Sequence, residues 1–161
     1  MGWAEQFEKD TCAIAAAVSV VGDPWTLLIL RDAFLGVRRF EDFRRGLGVA
    51  RSVLAARLKK LVQYGIMRIG ADDLSFGRRQ YLLTPKGMDL FPILLSLKAW
   101  GDVHIYGRGA EPHDSVHTCG CHIDPKFTCA ACGGPIEFGD LRVNTRAAKK
   151  VGDALAAARA V

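Results

Sequence analysis

Four thiols and two imidazoles crowd into the sixteen positions from His117 to Cys132, side chains suited to holding a borderline-soft cation. Cys129 and Cys132 are followed by Gly133-Gly134. Two thiolates at that spacing, with glycine permitting a turn that aims backbone amides at sulfur, make one half of a tetrahedral site. Cys119 and Cys121 are the preferred second half, with His117 or His122 as substitutes if Cys121 points away. Zinc is the expected ion and its role structural, because four protein ligands leave no open coordination position. A reversible disulfide is the competing reading, but a thioredoxin-like motif needs a βαβ context that the flanking sequence lacks. The fifth cysteine, Cys12, is a redox candidate. Lys9 favours its thiolate, whereas Glu8 and Asp10 oppose it. The opening MGWAEQFEKD is charged and without a leader's apolar run, and no apolar stretch reaches the ~18–20 residues of a membrane span. A cytoplasmic location is therefore expected, where clustered thiols read as metal or redox chemistry before disulfides.

Charge marks a second functional region. The net charge is +5, but twelve Lys or Arg and only four acids fall between Gly36 and Gly87, so that stretch carries +8 and the rest −3. Such a concentrated positive field suits a polyanion, although a solvated basic face with no partner has the same composition. Neither paired carboxylates, a nucleophile elbow nor a phosphate loop is present, and His104 and His113 stand isolated. The sequence does not read as an enzyme.

The elements that position these charges follow from apolar spacing. Residues 12–21 are small and apolar. Asp23 can cap a helix that starts at Pro24, carries Trp25, Leu28 and Ile29 on one face and ends at Gly36. RFEDFRRGLG predicts a two-turn helix. The next helix, from Arg51 to Tyr64, buries Leu54, Leu58 and Leu61 and turns Ser52, Ala56, Lys59, Lys60 and Gln63 the other way. Small residues followed by bases allow close approach to a groove while holding phosphates. Two short alternating segments, 66–69 and 80–83, flank GADDLSFGRR as a hairpin. Thr84-Pro85 then starts a helix running to about Tyr106 that is apolar on more than one side. Such a helix needs burial against more than its own small domain: a dimer interface is the economical explanation, a monomer's central helix the alternative. Gly107, Gly109 and Pro112 read as a linker, and residues 144–160 as an alanine-rich helix packed on the metal module or on a partner subunit.

Helix, helix, helix, hairpin, helix, with the basic charge on the third helix and hairpin, is the winged helix-turn-helix order. The matching residues are specific: Cys12, Gly22, Trp25-Thr26-Leu27-Leu28-Ile29-Leu30, Gly36, Arg39-Phe40, Leu54, Arg57-Leu58, Leu61, Gly65-Ile66, Tyr81-Leu82-Leu83-Thr84-Pro85-Lys86-Gly87 and Trp100-Gly101. Over roughly residues 10–107 the chain resembles the HxlR-type family of bacterial regulators, relatives of the MarR type. It departs from that family at Ala50, where a Ser usually caps the recognition helix, and at Cys12-Ala13, where Cys-Pro is usual.

The resemblance implies a homodimer on a two-fold-related operator of double-stranded DNA, most often as a repressor. Arg51, Ser52 and Arg57 then fall on or beside the recognition helix, and Arg78 and Arg79 on the wing. With the helix-face argument, the expected DNA-binding set is Arg51, Ser52, Ala56, Arg57, Lys59, Lys60, Gln63, Arg78 and Arg79. Arg57 lies near the core edge, where it either touches DNA or braces the fold. Some relatives sense oxidants or electrophiles through the cysteine at position 12, and tails like residues 117–134 look like small zinc ribbons. The expected fold is mainly α with a small β hairpin (α+β): a winged helix over 1–107, a zinc-ribbon-like module over 113–143 and a C-terminal helix over 144–161. A small-molecule or redox effector is compatible with this plan. Two other functions stay open: a redox-sensing regulator switching through Cys12, and a zinc-ribbon module for protein interaction or thiol redox chemistry.

Overall fold

The computed structural model describes residues 11–71, 79–107, 109–140 and 150–159. These fall into two compact units, one running through Phe91 and including the last helix, the other from Pro92 to Asp140.

In the first unit, α1 (Ala13–Val21) is a run of small apolar residues, and α2 (Pro24–Phe34) opens on Asp23, whose carboxylate accepts the Thr26 N–H at 3.2 Å. Proline at the first helical position has no amide to waste there. α3 (Phe40–Leu47) stops at Gly48, whose φ of 62° suits a residue without a Cβ. α4 (Arg51–Gln63) starts after Ala50, which is extended and provides no side-chain cap. Leu54, Leu58 and Leu61 anchor it instead, fully buried with Ile29 of α2 and Phe43 of α3. Truncating any one of these leucines to alanine costs about 2–5 kcal/mol, more than the missing cap.

The hairpin of β1 (Met67–Ala71) and β2 (Arg79–Leu83) is antiparallel, with Met67 opposite Leu83 and Ala71 opposite Arg79. Arg39 bridges to Gln80, and the Tyr81 N–H donates to the Arg38 carbonyl at 2.8 Å, so the α2–α3 loop joins the wing as a third short segment. Thr84 caps α5 (Pro85–Met88) through the Gly87 N–H at 3.1 Å, and its hydroxyl donates to the Gly65 carbonyl at 2.6 Å. A Cβ on Gly87 would lie 2.2 Å from the Ile66 carbonyl oxygen, which explains why this turn carries glycine.

Two expectations are corrected. The helix expected from Thr84 to Tyr106 breaks at Asp89-Leu90, and α6 runs over Phe91–Gly101 before a π-helical turn at Asp102–Tyr106. Pro92 lacks the N–H that would bond the Met88 carbonyl, and its ring crowds that carbonyl, so the helix restarts with Pro92 in its first turn. The final helix, α7 (Val151–Arg159), packs on α1 of the same chain. Val151 is buried, and Arg159 Nε donates to Tyr64 Oη at 2.8 Å with its guanidinium over the Tyr64 ring. Residues 141–149 lie outside the described residues.

The second unit has little to bury: none of its described residues is buried. Beyond the π turn it holds two small bridged turns, Val116 paired with His122 and Thr128 with Pro135.

Candidate nucleic-acid interface

α4 and the wing display the basic surface, and the structure divides the expected contact residues into two groups. Arg51, Ser52, Ala56, Lys59 and Gln63 are exposed on the side of α4 away from its leucines, and Arg79 is exposed on β2. Arg78 lies outside the described residues. Arg57, expected at the core edge as either a DNA contact or a brace, and Lys60, expected on the outer face, both turn inward. Arg57 donates from Nε and Nη2 to the two oxygens of Asp23, both at 2.8 Å, and Lys60 Nζ donates to the Ser19 carbonyl at 2.7 Å. A helical wheel sees only the Cα direction. Both stems are long enough to reach around the helix edge to acceptors on the α1–α2 corner.

Electrostatics follow the same division. Burial pushes the Asp23 carboxyl up, but the hydrogen bonds from Arg57 and the Thr26 amide outweigh it and hold the group below its ordinary value of 3.8. Burial, then the charge of Arg57, pushes the Lys60 ammonium down. On the outer face, hydrogen bonds from Arg44 and then Arg51 hold the exposed Glu41 carboxyl below its ordinary range. Arg51 donates to Glu41 at 2.7 Å with its guanidinium 5.0 Å from the Phe40 ring centre, and Arg44 donates to the other oxygen at 2.7 Å. Glu41 thus aligns two arginines at the junction of α3 and α4. Sequence reasoning missed the Glu41–Arg51 pairing because the two residues lie ten positions apart on different helices, a separation with no helical spacing. Arg38 and Arg39, exposed beside the wing, were missed as well, although the charge count included them.

The thiols of the second unit form two pairs. Around Cys119 and Cys121, the His117 N–H donates to the Cys121 carbonyl at 2.9 Å, and His117 Nδ1 lies 3.1 Å from Cys119 Sγ. Around Cys129 and Cys132, the Gly133 N–H donates to the Cys129 carbonyl at 2.7 Å and the Cys129 N–H to the Gly134 carbonyl at 2.8 Å. The backbone of Cys121 hydrogen-bonds Cys119 sulfur, and the backbones of Cys132 and Ala131 hydrogen-bond Cys129 sulfur, which lowers both thiol pKa values. Gly120 and Gly133 carry φ of 87° and 73° in these turns. His122 Nδ1 lies 2.5 Å from Asp114 Oδ1, which leaves its Nε2 uncommitted. Cys12 is exposed at the N-cap of α1. Among the described residues, no single helix is long and apolar enough to cross a membrane.

Residues 20–108 match the HxlR-like helix-turn-helix family. Mb3122 of Mycobacterium bovis, described as an uncharacterised HTH-type transcriptional regulator, is 40% identical over 132 residues, or 81% of this chain and 82% of that protein. The crystal structure of PA1607, described as a candidate transcription factor, superposes with a TM-score of 0.77 at 34% identity over 88% of this chain and 99% of that one. The redox regulator HypR in its reduced form gives 0.52 at 27% identity over 56% of this chain and 91% of that one. Fold and relatives are those of transcriptional regulators and not of enzymes. The chain belongs to the HxlR-like helix-turn-helix family of DNA-binding transcriptional regulators.

Proposed function

We propose that this protein is a homodimeric repressor that binds a two-fold-related operator, with α4 in the major groove and the wing on the adjacent backbone. The observation that carries the reading is the exposed face of α4. Arg51, Ser52, Ala56, Lys59 and Gln63 face outward while Arg57 and Lys60 fasten the helix to the α1–α2 corner. That arrangement presents bases for phosphates and small polar side chains for base edges on a helix whose orientation is fixed. Dimerisation is supported by the apolar side chains that a single chain leaves exposed along α6 and the π turn: Ile93, Leu97, Trp100, Val103 and Ile105. Fluorescence anisotropy with DNA from upstream of the gene, over a series of salt concentrations, tests the reading. Saturable, salt-dependent binding by a dimer supports it, and no binding at submicromolar protein rejects it. Repression is tested by placing that DNA before a reporter gene.

For the tail, the thiolates of Cys119, Cys121, Cys129 and Cys132 are proposed to hold a structural zinc ion. The chemistry fits: the thiols come in pairs on glycine turns whose backbones hydrogen-bond sulfur, in a segment with no buried core to stabilise it. His117, beside Cys119, is the alternate ligand. Purified under reducing, non-chelating conditions, the protein should carry zinc. Less than about half an equivalent per chain removes the proposal.

A redox-responsive version of the regulator rests on Cys12, exposed at the start of the nine-residue helix α1, where the helix dipole favours a thiolate. The likeness to HypR, described as a redox regulator, points the same way. DNA affinity that is unchanged by peroxide, or changed equally in Cys12→Ser, rules this version out.

A further inference from the structure

The second unit contains a set of donors that neither the DNA-facing surface nor the thiols use. Glu111, Asp114 and His122 each offer one ligating atom, and the three atoms lie within 4.8 Å of one another. Glu111 and Asp114 come from the segment after the π turn, and His122 from the residue bridged to Val116. Glu111 Oε2 is shut off from solvent and has no hydrogen-bond donor in reach. A carboxylate oxygen deprived of both water and a donor is several kcal/mol out of balance unless a positive charge meets it. Among the described residues, no side chain provides one. Asp102 is neutralised by Lys98 at 2.5 Å and Asp124 lies 3.7 Å from Lys126, whereas among the described residues Glu111 has no ion-pair partner and Asp114 pairs only with His122.

A cavity of about 420 Å³ opens on these groups, bordered by Asp102, Glu111, His122 and Asp124 with the apolar Ala99, Val103 and Ile123, and by no Lys or Arg among the described residues. With Asp102 and Asp124 each beside a lysine, the orphaned Glu111 oxygen next to the Asp114–His122 pair is the sign of a missing cation.

We propose that Glu111, Asp114 and His122 bind a divalent first-row transition-metal ion at a site distinct from the thiols. Two carboxylate oxygens and one imidazole nitrogen suit manganese, iron, cobalt or zinc. The imidazole disfavours calcium and magnesium, and the lack of sulfur disfavours cuprous ion. Three protein ligands leave coordination positions on the cavity side, where water or a small chelating anion completes the shell. The ion fixes the segment carrying Glu111 and Asp114 to the turn carrying His122.

Cobalt(II) is the probe, added to the full-length protein after its own metal content has been measured. The expected result is one cobalt per chain, beyond any zinc, with weak visible d–d bands and no sulfur-to-cobalt charge-transfer band. Glu111→Gln and His122→Asn each weaken this binding at least tenfold, with unchanged circular dichroism. The same spectrum persists in Cys129→Ser, which separates this site from the proposed thiolate site whether or not zinc occupies the latter. No saturable uptake at micromolar cobalt, or uptake unchanged in both Glu111→Gln and His122→Asn, overturns the assignment. A sulfur charge-transfer band that accounts for all the bound cobalt does so too.

Discussion

Replacing Arg57 with alanine separates two roles open to a basic residue on α4. In the structure Arg57 makes two charge-assisted hydrogen bonds of 2.8 Å to Asp23, across the packing of α4 against α2. The side chains are 34% and 27% exposed, so solvent screens part of the interaction. A buried bond to a charged group contributes about 1.5–3 kcal/mol, and with screening the whole pair is worth about 1–2 kcal/mol. For a unit of this size that is a fall in Tm of roughly 5–15 °C. The assays are thermal and urea unfolding by circular dichroism, with a double-mutant cycle against Asp23→Asn, and anisotropy titrations on DNA over a salt series. The cycle should return a coupling of about 1 kcal/mol or more. The slope of log K against log salt should stay unchanged, because a residue that holds Asp23 releases no counterions. A contact to phosphate lowers that slope by about 0.9. Unchanged stability together with a slope reduced by about 0.9 refutes the bracing role.

The neighbouring lysines should behave oppositely: Lys59→Ala lowers the salt slope by about 0.9 with stability intact, whereas Lys60→Ala lowers the unfolding midpoint and leaves the slope alone. Because the Asp23 carboxyl is held below its ordinary value, its contribution is fully present above pH ~4 and is lost as pH falls through the folded-state pKa. Asp23→Asn should therefore flatten stability against pH below 4 in unfolding titrations. Gly87→Ala forces a Cβ to within 2.2 Å of the Ile66 carbonyl oxygen; a loss of about 2–3 kcal/mol in urea unfolding is expected, and a loss under 0.5 kcal/mol refutes the clash.

Local signals in the sequence carried far. Asp23-Pro24 and Thr84-Pro85 announced two helix starts whose cap hydrogen bonds are present, and the spacing of Leu54, Leu58 and Leu61 located the buried stripe of α4. The failures are tertiary except for one. Asp23 was legible as a cap through one oxygen, but its grip on Arg57 depends on a helix 34 residues later. Lys60 is polar by type and faces away from the leucines by angle, yet a carbonyl at the end of α1 captures its ammonium. Glu111, Asp114 and His122 have no repeating spacing, since loop geometry brings them together, whereas the Cys-x-x-Cys pattern is written within four residues. The break before α6 was legible in principle, because Pro92 forbids a bond to Met88. The strong apolar pattern on both sides masked it.

The docking of α7 on α1 has a consequence for how the protein is made. Tyr64 and Arg159 touch across 95 residues of chain, an interval that takes roughly 5–20 s to translate at about 5–20 residues per second. During that time the DNA-binding unit exists with one side of α1 uncovered, while the tail is synthesised between the two halves of its packing. Contacts of such sequence separation form late because loop closure must precede them. A nascent chain halted after Asp140 has every residue of α4 and both wing strands but lacks Val151 and Arg159. Such a truncated product should be aggregation-prone, although its helix-turn-helix sequence is complete.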